Sequence, residues 1–184
     1  MKNQKFRSVI FLLSLGFLLT QCKDSGEDLK PDEENELITT VQLSFTNKST
    51  GAIKTFLFQD KDGDGGNAAT RFDTITLAPN SEYGLAIAFL DESKNPTDDI
   101  TAEIEEKADE HLIVVSANPA GLLAYTYNDA DGNGFPIGLK GTAKTSATGS
   151  GSLKIQLRHQ PGTKNGTATP GSDDVNLDFR LVVQ

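Results

Sequence analysis

One cysteine, one methionine, two histidines and no tryptophan leave this 184-residue chain short of the side chains that most often carry redox, metal and nucleophilic chemistry. A lone cysteine, Cys22, excludes an internal disulfide, so stability has to come from burying apolar surface. His111 and His159 lie far apart in the chain, and with one cysteine they do not make up a transition-metal ligand set. A Gly-x-Ser-x-Gly elbow, a Ser-x-x-Lys arrangement, a phosphate loop and a dinucleotide fingerprint are all missing. The chain therefore reads as a non-enzyme without a required cofactor. With three tyrosines and no tryptophan, a flat aromatic platform for carbohydrate is also poorly supplied. Cations are the minority, 17 Lys and Arg against 26 Asp and Glu, for a formal charge of −9. Such a surface repels phosphate backbones, which excludes nucleic acid as a partner.

The one apolar run stands at the start. Lys2, Lys5 and Arg7 precede Val9 to Leu19, and Leu19-Thr20-Gln21-Cys22 follows. A run of about 11 residues suits a signal-peptide core and falls well short of the roughly 20 that span a membrane. The arrangement resembles a bacterial lipoprotein signal, which is cut before its cysteine and acylated on the new N-terminus. Leu19 and Thr20 fit that pattern, and Gln21 stands where a small residue is usual. Residues 1–21 are thus predicted to be a signal peptide, with Cys22 as the lipidation site and the membrane as a partner through the lipid. At about 0.8 kcal/mol per buried methylene, two or more acyl chains hold firmly.

Residues 22–36 follow as an acidic flexible tether, rich in Asp and Glu and interrupted by Pro31. The cluster Lys23-Asp24-Ser25-Gly26-Glu27-Asp28 resembles the surface-export signals of Bacteroidota lipoproteins. The predicted location is the outer membrane, lipid-anchored, on its periplasmic or cell-surface face.

Residues 37–184 are predicted to form one domain. Period-two alternation dominates it. Val41, Leu43 and Phe45 share a face, as do Tyr83, Leu85, Ile87 and Phe89, and then Val175, Leu177, Phe179, Leu181 and Val183. Strands are expected over 39–47, 53–59, 72–78, 82–90, 112–117, 121–127, 137–145, 152–159 and 175–183. One segment, 98–108, places Ile100, Ile104 and Ala108 at helical spacing, with Thr97 or Asp98 as N-cap. A single helix cannot supply the crossovers of a parallel α/β sheet. The fold class is therefore all-β: an antiparallel Ig-like β-sandwich of about 8–9 strands with one short rim helix.

Two loops carry candidate chemistry. Asp60-Lys61-Asp62-Gly63-Asp64-Gly65-Gly66-Asn67 sets carboxylates at alternate positions of a tightly turning chain, the donor pattern that suits Ca²⁺. Asp60, Asp62 and Asp64 are the candidate ligands. Arg71 stands where an EF-hand would need its bidentate glutamate, so the loop is not an EF-hand. Asn128-Asp129-Ala130-Asp131-Gly132-Asn133-Gly134 is a weaker version, and both compositions also suit hairpin turns. Asp73-Thr74-Ile75 resembles a Bacteroidota O-glycosylation sequon, with Thr74 as acceptor. Arg158 and His159, beside the long 161–174 loop, form a candidate polar patch.

Several segments together resemble an uncharacterised family of Bacteroidota lipoproteins. They are Glu36-Leu37-Ile38-Thr39-Thr40, the Asp60–Ala68 loop, Glu105-Glu106 with Ala108-Asp109-Glu110-His111, Leu157-Arg158-His159 with Pro161, and the Asp174-Val175 start of the last strand. Members of that family often carry a type 1 periplasmic binding label, which implies α/β lobes; the alternation predicts β-structure instead. The expected function is a binding or structural module with an unknown ligand or protein partner. The rival expectation is an accessory ligand-binding lipoprotein of an uptake system, stabilised by Ca²⁺.

Overall fold

The computed structural model describes residues 37–63 and 66–184. The predicted signal peptide, Cys22, the predicted tether and Asp64 lie outside the described residues.

The alternating segments become ten strands and one helix: β1 (Thr40–Asn47), β2 (Ile53–Gln59), β3 (Arg71–Phe72), β4 (Ile75–Leu77), β5 (Glu82–Leu90), α1 (Ile100–Glu106), β6 (His111–Asn118), β7 (Leu123–Tyr127), β8 (Lys140–Thr145), β9 (Gly149–His159) and β10 (Ser172–Val183). Six strands form one sheet in the order β3-β2-β1-β5-β8-β7, and four form the other in the order β4-β10-β9-β6. The expected all-β sandwich is what the chain forms.

Burial follows the pleat. Val41, Leu43 and Phe45 of β1 are fully buried, and they pair in register with Phe89, Ile87 and Leu85 of β5. On the facing sheet, Val175, Leu177 and Phe179 pair in register with Leu157, Ile155 and Leu153, and Leu181 and Val183 are buried further along β10. Both sets point into one core because side chains two apart share a face, and only one face of each sheet is apolar. Phe45 sits edge-on to both Phe56 and Tyr83, with ring centroids 6.0 Å apart in each pair. Truncating such a ring to alanine removes about 3–5 kcal/mol.

The structure corrects three boundaries. The segment 72–78, expected as one strand, divides between the two sheets and raises the count to ten. At Asp73 the chain is pinned to β2: Asp73 donates its N–H to Leu57 O at 3.0 Å and accepts from Leu57 N at 2.9 Å. It then leaves at Thr74, and Ile75–Leu77 pairs in parallel with β10. That one parallel ladder departs from the antiparallel scheme.

The strand expected from Ile137 starts only at Lys140. Ile137 O accepts from Ile113 N of β6 at 2.7 Å, whereas Leu139 O accepts from Ile87 N of β5 at 2.9 Å. These residues step from one sheet to the other, and Gly138 makes the step at φ +97°. A Cβ at Gly138 would collide with Ile113 O.

The N-cap of α1 is Asp99, whose carboxylate accepts from Thr101 N at 3.1 Å, rather than Thr97 or Asp98. Ile100 and Ile104 are buried as expected. The Thr101 hydroxyl clamps the helix to β5, accepting from Phe89 N at 2.9 Å and donating to Phe89 O at 3.1 Å. That N–H and C=O lie on the core-bearing β5, so the helix is fixed to the body of the domain.

Candidate functional site

A cavity of about 440 Å³ opens where β1 and β2 of one sheet face β10 of the other. Its apolar lining is Leu37, Ile38, Val41, Phe58, Val175 and Leu177. Phe58 is held there by an edge-on contact to Phe72 at 5.2 Å, and Phe72 in turn packs edge-on against Phe179 at 4.9 Å. Its polar lining includes Asp60, Asp173 and Asp174. Two loops that sequence alone leaves unconnected therefore meet here: Asp60 and Gly63 come from the first, Asp173 and Asp174 from the end of the second. Leu37 and Ile38, the first described residues, are part of this lining.

A β-bulge makes the acidic side. In the β9–β10 ladder Asp173 pairs with Arg158 and Val175 with Leu157, which leaves Asp174 as an extra residue. A bulge re-aims side chains that strict alternation would send outward. Asp173 is neutralised: Arg158 donates to its Oδ1, and Gln156 and Asn176 donate at 2.8 and 2.9 Å. These bonds outweigh desolvation and hold the Asp173 carboxyl below the ordinary range. Asp174 has no such help. Its Oδ1 is buried with no hydrogen-bond partner among the described residues. Burial pushes its carboxyl above the ordinary range; His159 and Arg158 pull it down and Asp173 pushes it up, but burial wins.

Among the described residues, the calcium-candidate loop lines the cavity through Asp60 and Gly63. Asp62 Oδ2 accepts from both Asn67 N and Asn67 Nδ2, each at 2.8 Å. Those two bonds, with a contribution from Asp60, hold the Asp62 carboxyl low. Among the described residues no group of three or more His, Cys, Asp or Glu is placed to hold a metal ion; Asp64, the third candidate ligand, is not among them.

In the second acidic loop the carboxylates organise the backbone. Asp129 accepts from Gly138 N at 2.8 Å and Lys140 N at 2.7 Å. Asp131 Oδ1 accepts from Asn133 N and Phe135 N, both at 2.9 Å. Its Oδ2 lies 2.9 Å from Lys164 Nζ in an ion pair off the hydrogen-bond axis, with side chains 0% and 2% exposed. Lys164 also donates to Ala108 O at 2.7 Å, which straps the long loop onto the end of α1.

Arg158 and His159 do not form an open patch. The Arg158 guanidinium folds the end of the long loop, donating to Pro170 O at 2.8 Å and Gly171 O at 2.6 Å as well as to Asp173. Buried Gln160 adds bonds to Thr167 O at 2.8 Å and Pro170 O at 3.0 Å. His159 is the register partner of His111 on β6, and the rings stack with centroids 5.0 Å apart and planes 6° from parallel. The two histidines, distant in sequence, are neighbours in space. Stacked face to face, they do not converge on a common point as ligands would. Thr74 is exposed in the crossover between β3 and β4, outside any strand.

Sequence reasoning missed Asp173 and Asp174 as site residues. The available signal was the acidic doublet placed directly before the regular run from Val175, since two adjacent carboxylates cannot both face solvent in a strict pleat.

Comparison with protein families, with curated proteins and with solved structures finds no match.

Proposed function

We propose that the chain is a lipid-anchored β-sandwich lipoprotein of the outer membrane, facing the periplasm or the cell surface. In this reading it acts as a binding module through the cavity between β1, β2 and β10. The anchor rests on the signal-like N-terminus and Cys22. The observation that carries the binding role is the cavity itself. Its volume lies within the roughly 300–1,000 Å³ of small-molecule sites, and an apolar wall faces a few convergent polar groups. That combination favours ligand binding over a purely structural role, and suits an accessory component of an uptake system.

Two measurements test the reading. The full chain expressed in a diderm bacterium is expected to incorporate labelled palmitate and to fractionate with the outer membrane, and Cys22→Ala to lose both. Unlabelled, soluble wild-type protein removes the anchor. The cavity can be watched with Phe58→Trp, a reporter without background because the chain has no tryptophan. A fragment library that never shifts its emission removes the binding role.

A further inference from the structure

We propose that the cavity between β1, β2 and β10 selects a small organic cation, a protonated amine carried on an apolar body, with Asp174 as the recognising carboxylate. The inference deepens the binding reading above and rests on it.

Three observations lead to this ligand class. The first is the balance of charge at the cavity. Asp173 and Asp174 line it, and the nearby guanidinium, Arg158, is directed to Asp173 and to the carbonyls of Pro170 and Gly171, which leaves Asp174 Oδ1 with no hydrogen-bonded cation among the described residues. No cationic side chain lines the cavity among its described residues.

The second is the orphaned oxygen. A buried carboxylate oxygen without a partner is costly, and at Asp174 the group lines a cavity from which an outside donor can complete it. An ammonium group supplies the missing donors and the missing charge together, and a charge-assisted hydrogen bond is roughly twice as strong as a neutral one. Burial that makes ionised Asp174 unfavourable alone is offset when the cation arrives.

The third is the wall. Six of the eleven lining residues are apolar, with Phe58 presenting an aromatic ring. A hydrated metal ion would gain nothing from these residues, whereas the hydrocarbon body of an amine is desolvated against them. Phe58 can also receive the cation or an aromatic ligand ring.

The experiment titrates full-length protein with three nearly isosteric probes: 2-phenylethylammonium, 2-phenylethanol and 3-phenylpropanoate. Binding is read from Phe58→Trp emission and from the wild-type melting temperature. The comparison variants are Asp174→Asn and Asp178→Asn, the latter a solvent-facing β10 carboxylate paired with Lys154. The ammonium is expected to bind at least tenfold tighter than the alcohol, with the carboxylate weakest. Asp174→Asn should erase the preference, and Asp178→Asn should leave it intact. Equal binding of all three probes overturns the cation inference and leaves the binding cavity standing. A preference lost equally in both variants assigns it to overall acidity and also overturns the inference. No response to any probe overturns both.

Discussion

The buried pair Lys164–Asp131 offers the sharpest test of how the long loop is held. Replacing Lys164 by methionine keeps most of the apolar stem and removes the ammonium. Asp131 then keeps its two backbone donors, Asn133 N and Phe135 N, but faces the interior without a counter-charge. Both side chains are essentially excluded from water. Breaking one partner out of such a pair costs about 3–5 kcal/mol, where an exposed ion pair would cost about 0–1. Domains of this size are stable by about 5–15 kcal/mol, so the variant loses a large fraction of its stability. At about 2–4 °C per kcal/mol the melting temperature should fall by roughly 6–20 °C. Urea unfolding followed by far-ultraviolet circular dichroism measures the loss directly. The double variant Asp131→Asn with Lys164→Met should recover part of it, because no lone charge remains buried. A single-variant loss below about 1 kcal/mol would refute the argument, since the pair would then be behaving like a screened surface contact.

Other perturbations have signs fixed by the structure. Asp174→Asn is expected to raise stability slightly at neutral pH, since it removes a half-buried charge whose Oδ1 has no partner among the described residues. The native carboxyl is raised, so wild-type Asp174 costs stability above that value and nothing below the ordinary value of 3.8; the advantage of the variant should vanish in acid. A variant that is more stable yet fails to bind the ammonium probe marks a residue kept for function rather than for folding. Burial holds His111 below its ordinary 6.5, with His159 and Lys107 adding to the effect and the Lys107 carbonyl and Glu110 opposing it. Its neutral form therefore stabilises the fold fully above 6.5, and that contribution declines as pH falls from there through the lowered native value. Unfolding free energies measured across this range should show the decline in wild type and lack it in His111→Gln. Calcium titration addresses Asp60, Asp62 and Asp64: a bound ion at 100-fold its dissociation constant adds about 2.7 kcal/mol, and a titration with no heat and no melting shift ends that reading.

Much of the architecture was legible because strand alternation is a local property. The faces of β1, β5 and β10 follow from residues two apart, and the helix from Ile100 and Ile104 at helical spacing after an acidic cap. Each needs only a few neighbours in the chain to be recognised. The helix cap slipped by a residue because Asp98 and Asp99 are chemically equivalent caps, and a tertiary bridge decides between them: Asp98 pairs with Asp91 across the loop and leaves Asp99 to cap.

The sandwich class, its apolar faces and the acidic surface were properties of the linear chain, since they depend on side-chain size, polarity and spacing alone. Tertiary structure decided everything that needs two distant segments to meet. It divided 72–78 between two sheets, stacked His111 on His159, and buried Lys164 against Asp131. It also brought Asp60 and Asp174 to one cavity, through a bulge whose position is set by the β9 register. Partner choice is a competition among whole strands for one shared core, and no local window of sequence contains the competitors.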